Sequence, residues 1–359
     1  MNMSEEKPLF SGNIFAFSCF DIGEDINLEK IKQQGSLVRK PISLSKYFKN
    51  YHIPLAVELP NAETSTNCVS AKLHNFGVLS LTYKIPLTLQ KLETIRVDIN
   101  SLENQYREQS IIDAGSIFKL IKNDVKQPNF FHLQRSYMLI QVNPIETIDS
   151  VSLKDTYGNM IASLLRFETE ALSEYQKNEI LETAVGYYRG DLIIIDTEAA
   201  FVYDDEYEEF LDLFEFANVQ QLELQFFDRL LDQQLNTVYE RQIKTRSLKS
   251  YLPFVTTAKT DPVGDLGRLR VDISVITERL ESSIKLAGEP YYAELYSLLV
   301  EKLDLTNWKE SINRKLEIIR DVRTVYENKI ETIREDMLTV LIIILIFIEM
   351  IVGILHYLK

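Results

Sequence analysis

The sequence predicts an α+β protein: a mixed-sheet N-terminal domain, a helical hairpin or coiled-coil stalk, and one C-terminal transmembrane helix. Three observations carry this. Short segments of alternating or continuous apolar residues fill the first 200 positions. Heptad-spaced apolar stripes replace them beyond residue 205. A long apolar run closes the sequence.

In the first part, Asn13–Phe20 (NIFAFSCF) is rich in aromatic residues and reads as a strand. Asp25–Gln34 reads as a short helix that stops at Gly35. Ile53–Leu59, Phe76–Ile85, Tyr137–Val142 and Asp191–Asp196 are further strands, and Ala199–Tyr203 pairs back as a hairpin. Helices are expected over Leu89–Glu108, Ser116–Lys122, Met160–Tyr175 and Lys177–Val185. Strands and helices mix without a strict βαβ repeat, which defines the α+β class.

The change of period near residue 205 divides the chain into an α+β domain (1–204), a helical or coiled-coil region (205–336) and an anchor (337–357). Asp204, Asp205, Glu206, Glu208 and Glu209 at that divide suit a solvated helix start, where the helix dipole favours negative charge. The first helical stretch runs from about Tyr207 to Leu248 and carries Leu211, Phe214, Leu222, Phe226, Leu230 and Leu235. The second places Leu266, Leu269, Ile273, Ile276, Leu280 and Ala287 in one register, opened by Asp261-Pro262 and closed by Gly288 and Pro290. In the third, Ile312, Leu316, Ile319, Tyr326, Ile330, Ile333 and Met337 follow the a/d spacing, broken at Arg323. Such stripes pack into a bundle within the chain or pair across subunits. Ile319, Tyr326, Ile330 and Ile333, with Glu349 in the apolar run that follows, are the candidate oligomerisation positions.

Between Leu338 and Leu355 only Thr339 and Glu349 are polar. Eighteen residues at about 1.5 Å each reach roughly 27 Å, close to the hydrocarbon thickness of a bilayer. Arg320, Arg323, Lys329 and Arg334 precede the run and only Lys359 follows it, so the body is expected on the cytoplasmic side. This is a single-pass, tail-anchored topology, placed in a prokaryotic inner membrane. A carboxyl at Glu349 is costly in lipid, so it is expected to be neutral, to snorkel, or to bond another helix. The start, MNMSEEKPLF, has neither the basic, apolar pattern of a signal peptide nor the character of a transit peptide.

The 359 residues carry a net charge of −14, which disfavours nucleic acid as a partner. Cys19 and Cys68 form no CxxC pair and suit a reducing compartment. Phosphate-loop, dinucleotide and nucleophile-elbow motifs are absent, and His52, His74, His132 and His356 are scattered, so no cofactor is expected. The weak metal candidates are Asp228 and Asp232, one helical turn apart, with Asp196. Pairing of these carboxylates with Arg229, Arg241 or a neighbouring strand is the structural alternative.

Two blocks, residues 190–235 and 295–352, resemble the required-for-meiotic-nuclear-division family, a group of unknown function that includes YagE-like bacterial proteins. The resemblance rests on an apolar strand followed by E-x-A-N-x-Q-x-L-E-L-x-x-x-D. Here these are Glu215, Ala217, Asn218, Gln220 or Gln221, Leu222, Glu223, Leu224 and Asp228. It rests also on a charged helix that enters an apolar segment holding one glutamate, Glu349, and on the opening unit FAFSCFDIGEDINLEKIKQQG. Two departures stand out: no tryptophan follows Phe76-Gly77, and Asn307-Trp308-Lys309 replaces a paired basic motif. The resemblance implies no established catalysis. Its mitochondrial members associate with membranes, form homo-oligomers and support organellar translation. The leading expectation is therefore a non-enzymatic, oligomeric membrane scaffold. A metal-dependent enzyme acting on a nucleotide or phosphorylated metabolite is one alternative, and a translation-linked ribosome or RNA tether is another.

Overall fold

Strand β1 (Phe10–Asp21) lies at the centre of a seven-stranded sheet. The structure is a computed structural model that describes residues 10–35, 37–42, 53–60, 67–89, 91–130, 134–188, 190–243, 267, 270–271, 273–275 and 290–357. Around β1 the order is β3 (Leu55–Ala56), β4 (Cys68–Leu73), β5 (Val78–Leu89), β1, β7 (Gln134–Val142), β9 (Ala199–Tyr203) and β8 (Leu192–Ile195). β7 and β9 run parallel while the other pairs are antiparallel, so the sheet is mixed. A small ribbon joins β2 (Asp25–Ile26) to β6 (Val125–Lys126).

Both faces of this sheet are covered, which explains the nearly continuous apolar runs of its central strands. Phe10, Ile14, Ala16 and Phe20 of β1 point to one face. There they join Leu79, Leu81 and Tyr83 of β5 and Met138, Ile140 and Val142 of β7. That layer is closed by α2 (Glu93–Ile121) and α3 (Ser150–Leu165), with α4 (Glu174–Leu181) packed on α3. α2 buries Ile95, Ile99, Tyr106, Ala114, Ile117 and Ile121, a stripe at helical spacing. Each of its buried isoleucines contributes about 1.5–3 kcal/mol.

The opposite face receives α5 (Glu208–Ile243). Cys19 of β1 and Val78 of β5 pack with Val219 and Leu222, and Tyr137 of β7 stacks on Phe214 at 5.8 Å. α6 (Pro290–Lys302) lies on β8 and reaches α5, where Tyr296 donates to Gln220 Oε1 at 2.6 Å. Every residue from Leu213 to Leu224 is consequently buried.

α7 (Leu305–Tyr357) is one uninterrupted helix of 53 residues. Its segment Glu335–His356 has a mean hydropathy of 3.1, is long and apolar enough to cross a membrane, and has no residue buried against the chain. The chain divides into two compact units, Met1–Phe226 with Ile276–Trp308, and Phe227–Val275 with Lys309–Lys359.

Several elements differ from expectation. The two helices expected over 89–108 and 116–122 are the single α2, because Gly115 sits in an open helical position that does not break it. The helix expected at Met160–Tyr175 starts earlier, where the Asp149 carboxylate caps the Ser152 N–H, and stops at Arg166 before the left-handed Phe167. Asp25–Gln34 splits into β2 and α1 (Leu28–Gln34), capped by Asn27 and ended by the left-handed Gly35. Strand β4 was not anticipated. Most of the stripe Leu266–Ala287 lies outside the described residues, although Ile273 is buried.

Candidate functional site

A polar layer lies between the sheet and α5, and its members come from alternate residues of four strands. On β4 and the turn after it, Lys72 and His74 face α5, while Ala71 and Leu73 face the other core. Ser80 of β5, Asp21 of β1 and Arg135 of β7 share that orientation. Period-2 alternation thus places polar groups from distant parts of the chain opposite one helix.

Lys72 Nζ contacts Glu215 Oε2 at 2.5 Å and Asp212 Oδ1 at 3.1 Å. Burial pushes the ammonium down, but the two carboxylates outweigh it and hold Lys72 above its ordinary value. The other oxygen of Glu215 accepts the Ser80 hydroxyl at 2.5 Å. His74 Nε2 lies 3.1 Å from Ser80 Oγ. Since the serine proton is given to Glu215, Nε2 carries the histidine proton and donates to Oγ. Burial, then Lys72, pushes His74 down to about 3, so the ring stays neutral. A nucleophilic serine needs the reverse arrangement, with histidine accepting its proton and a carboxylate orienting the histidine. Lys72, His74, Ser80 and Glu215 each expose 9% or less of their surface. The arrangement fixes α5 on the sheet.

The α5 motif is explained residue by residue. Glu215 meets Lys72 and Ser80. Asn218 accepts from Arg135 Nε at 3.3 Å and donates to Phe214 O at 2.8 Å. Gln220 accepts from Tyr296, and Gln221 donates to Leu303 O at 2.8 Å. A helix buried on all sides must draw partners for its polar side chains from its surroundings, and these groups supply them for all but Gln221 Oε1.

Glu223 and Asp21 are different. They are 2% and 3% exposed and interact as like charges. Burial raises Asp21 from an ordinary 3.8 up to about 7, against the pull of the Gly23 N–H on its Oδ1. Burial, then the charge of Asp21, raises Glu223 well above the usual carboxylate range. Both folded-state values are raised, so the folded chain holds protons that the unfolded chain has released. The associated stability is complete below the ordinary values and is lost as pH rises through about 7. His74 acts with the opposite sign below about 6.5, so the carboxyl pair is read above 6.5, where comparison with Glu223→Gln separates it from the other raised carboxyls, Asp196 and Asp204. The urea midpoint is expected to fall between pH 6.5 and 8.5, and Glu223→Gln should remove most of that fall. A wild-type profile matching that of the variant would refute the coupling.

The sequence-derived metal candidates are occupied by cationic side chains. Asp196, after β8, is 1% exposed and pairs with Arg166. Burial raises its carboxyl, and Thr197 N–H and Arg166 pull it down. Asp228 and Asp232 do share one helix face, and both bind Lys315 Nζ, at 2.7 and 2.8 Å. Ser311 also donates to Asp228. Their cation is Lys315 rather than Arg229, and the side chain of Arg241 lies outside what the structure describes. Among the described residues no group of three or more His, Cys, Asp or Glu side chains is arranged to hold a metal ion. His52 and His132 lie outside the described residues, and His356 is exposed on α7.

Of the candidate oligomerisation residues, Ile319 is 1% exposed and, like Ile312 and Leu316, enclosed by the chain itself. Tyr326, Ile330 and Ile333 lie within α7, but their side chains fall outside what the structure describes. Glu349 is exposed in the apolar segment. Sequence reasoning missed Lys72, His74, Ser80, Asp21 and Arg135. The one available signal was the alternation of Val69, Ala71 and Leu73 with Cys68, Ser70 and Lys72.

The fold and this layer define an α+β protein of two covered sheet faces with a membrane-length helix after them. Residues 11–209, from β1 to the first turn of α5, match the family model described as "Uncharacterized protein MJ0711, N-terminal domain", and the chain belongs to this family. Uncharacterized protein MJ0711 of Methanocaldococcus jannaschii is 27% identical over 197 residues, 54% of this chain. The match spans 59% of that relative's length. No solved structure matches.

Proposed function

We propose that this chain is a non-enzymatic scaffold held at a membrane by its C-terminal helix, with the α+β body on the cytoplasmic face. The observation that carries the reading is α7. A soluble protein of this size buries its long apolar helices, whereas Glu335–His356 is exposed around its whole circumference. Basic residues before the segment, Arg320 among them, favour the cytoplasmic side for the body. The α5 motif and Glu349 support kinship with the required-for-meiotic-nuclear-division group, and with it a tendency to self-associate through α7. The upper stalk, with Tyr326, Ile330 and Ile333, and the apolar segment are the parts that serve this role.

Expressed in cells that are lysed without detergent, the full chain is expected in the membrane pellet and to resist alkaline carbonate. A version ending at Asp336 is expected in the supernatant. Added protease should degrade the body on inverted vesicles and spare it on right-side-out ones. A full chain that remains soluble after ultracentrifugation would overturn the proposal.

A further inference from the structure

The apolar segment of α7 is not uniform around its circumference. Between Met337 and His356 the residues that are not large and apolar are Thr339, Glu349, Gly353 and His356. With Ile342 and Ile346 they follow the spacing 3-4-3-4-3, which places all six on an arc of roughly 100°. The rest of the surface is leucine, isoleucine, valine, phenylalanine and methionine.

We infer that this arc is the contact by which two copies of the chain pair, in parallel, inside the bilayer. The inference rests on the membrane-anchored, self-associating reading and adds the face and the direction of the pairing.

Glu349 carries most of the argument. One turn away on its own helix stand Leu345, Ile346, Val352 and Gly353, none of which can hydrogen-bond a carboxyl side chain. An isolated carboxyl in hydrocarbon is expensive, so its partner comes from another molecule. Among the described residues one helix is able to span, and no other apolar run of comparable length occurs in the 359 residues. Copies that all carry the body on one side cross in the same direction. Equivalent residues then sit at equal depth, and Glu349 of one copy meets Glu349 of the other. Two uncharged carboxyl groups are self-complementary, each donating one O–H and accepting another, as a symmetric interface requires.

Gly353 points the same way. A Cβ added there meets nothing within 4 Å, so its own chain does not need the glycine. Within a helix glycine costs about 1 kcal/mol relative to alanine. One turn beyond Glu349, on the same arc, it lets two backbones approach closely, as small residues do in membrane helix pairs. Thr339 places no demand on a partner, because its hydroxyl donates to Glu335 O at 2.9 Å.

The test uses the full chain with single cysteines, oxidised in native membranes. Ile342→Cys and Ile346→Cys lie on the arc. Ile344→Cys, Ile348→Cys and Ile351→Cys lie opposite it, and the parent chain reports any background from Cys19 and Cys68. Covalent dimer is expected from the arc positions at about tenfold the yield of the opposite ones. In the Ile346→Cys background, Glu349→Leu should lower the yield about fivefold or more while Glu349→Gln preserves it. Equal cross-linking around the helix, or none, in protein that sediments with membranes would overturn the pairing alone. Protein recovered from the supernatant would overturn the anchor and the pairing together.

Discussion

Lys72→Met is expected to destabilise the α+β body by about 3–5 kcal/mol, the scale for removing one partner of a buried ion pair. Glu215 is buried against Lys72, and Asp212 lies beside it. Methionine fills a similar volume but leaves the Glu215 carboxylate with only the Ser80 hydroxyl. The remaining charge, rather than the lost attraction, dominates the cost. A double variant, Lys72→Met with Glu215→Gln, should therefore recover part of the loss. Urea titration followed by tyrosine fluorescence would measure both. A single variant within about 1 kcal/mol of wild type, on the scale of an exposed pair, would show that the charges are solvated.

Gly77→Ala is expected to be comparably damaging, at about 3 kcal/mol or more. Gly77 occupies the turn between β4 and β5 at φ +101°, and an added Cβ would stand 1.7 Å from the Gly23 carbonyl oxygen. Neither backbone can yield easily. Gly77 N–H donates to His74 O, and its carbonyl accepts Ile22 N–H. One substitution thus disturbs both the histidine of the polar layer and the strand end that carries Asp21. Gly115→Ala is the control, since Gly115 is helical and a Cβ there meets nothing within 4 Å. It should stabilise the chain by about 0.5–1 kcal/mol. Chemical melts of the two variants decide the matter, and equal effects would dispose of the steric account.

Strong local patterns were legible in the sequence, and long-range pairings were not. Ala199–Tyr203 was read to the residue, and β1 and β7 were found with their outer ends trimmed. These strands are buried on both faces and so carry unbroken apolar runs. β4 escaped because Lys72 sits in a short strand whose polar face is turned inward, against an expectation that lysine marks solvent. The carboxylates at Asp228 and Asp232 were correctly placed on one face, but Lys315 lies too far along the chain for spacing to connect it to them. The polar layer combines residues 21, 72, 80, 135 and 215, so only the fold brings it together.

The central place of β1 has a consequence for biosynthesis. Its two neighbours are β5 and β7, and the second is finished only at Val142. At roughly 5–20 residues per second, a ribosome needs on the order of 6 to 26 seconds to proceed from Phe10 to that point. During this interval one edge of an aromatic-rich strand has no hydrogen-bonding neighbour and is a template for wrong pairing. Nascent chains stalled before Gln134 should therefore recruit holdase chaperones more than chains in which Val142 has left the ribosome.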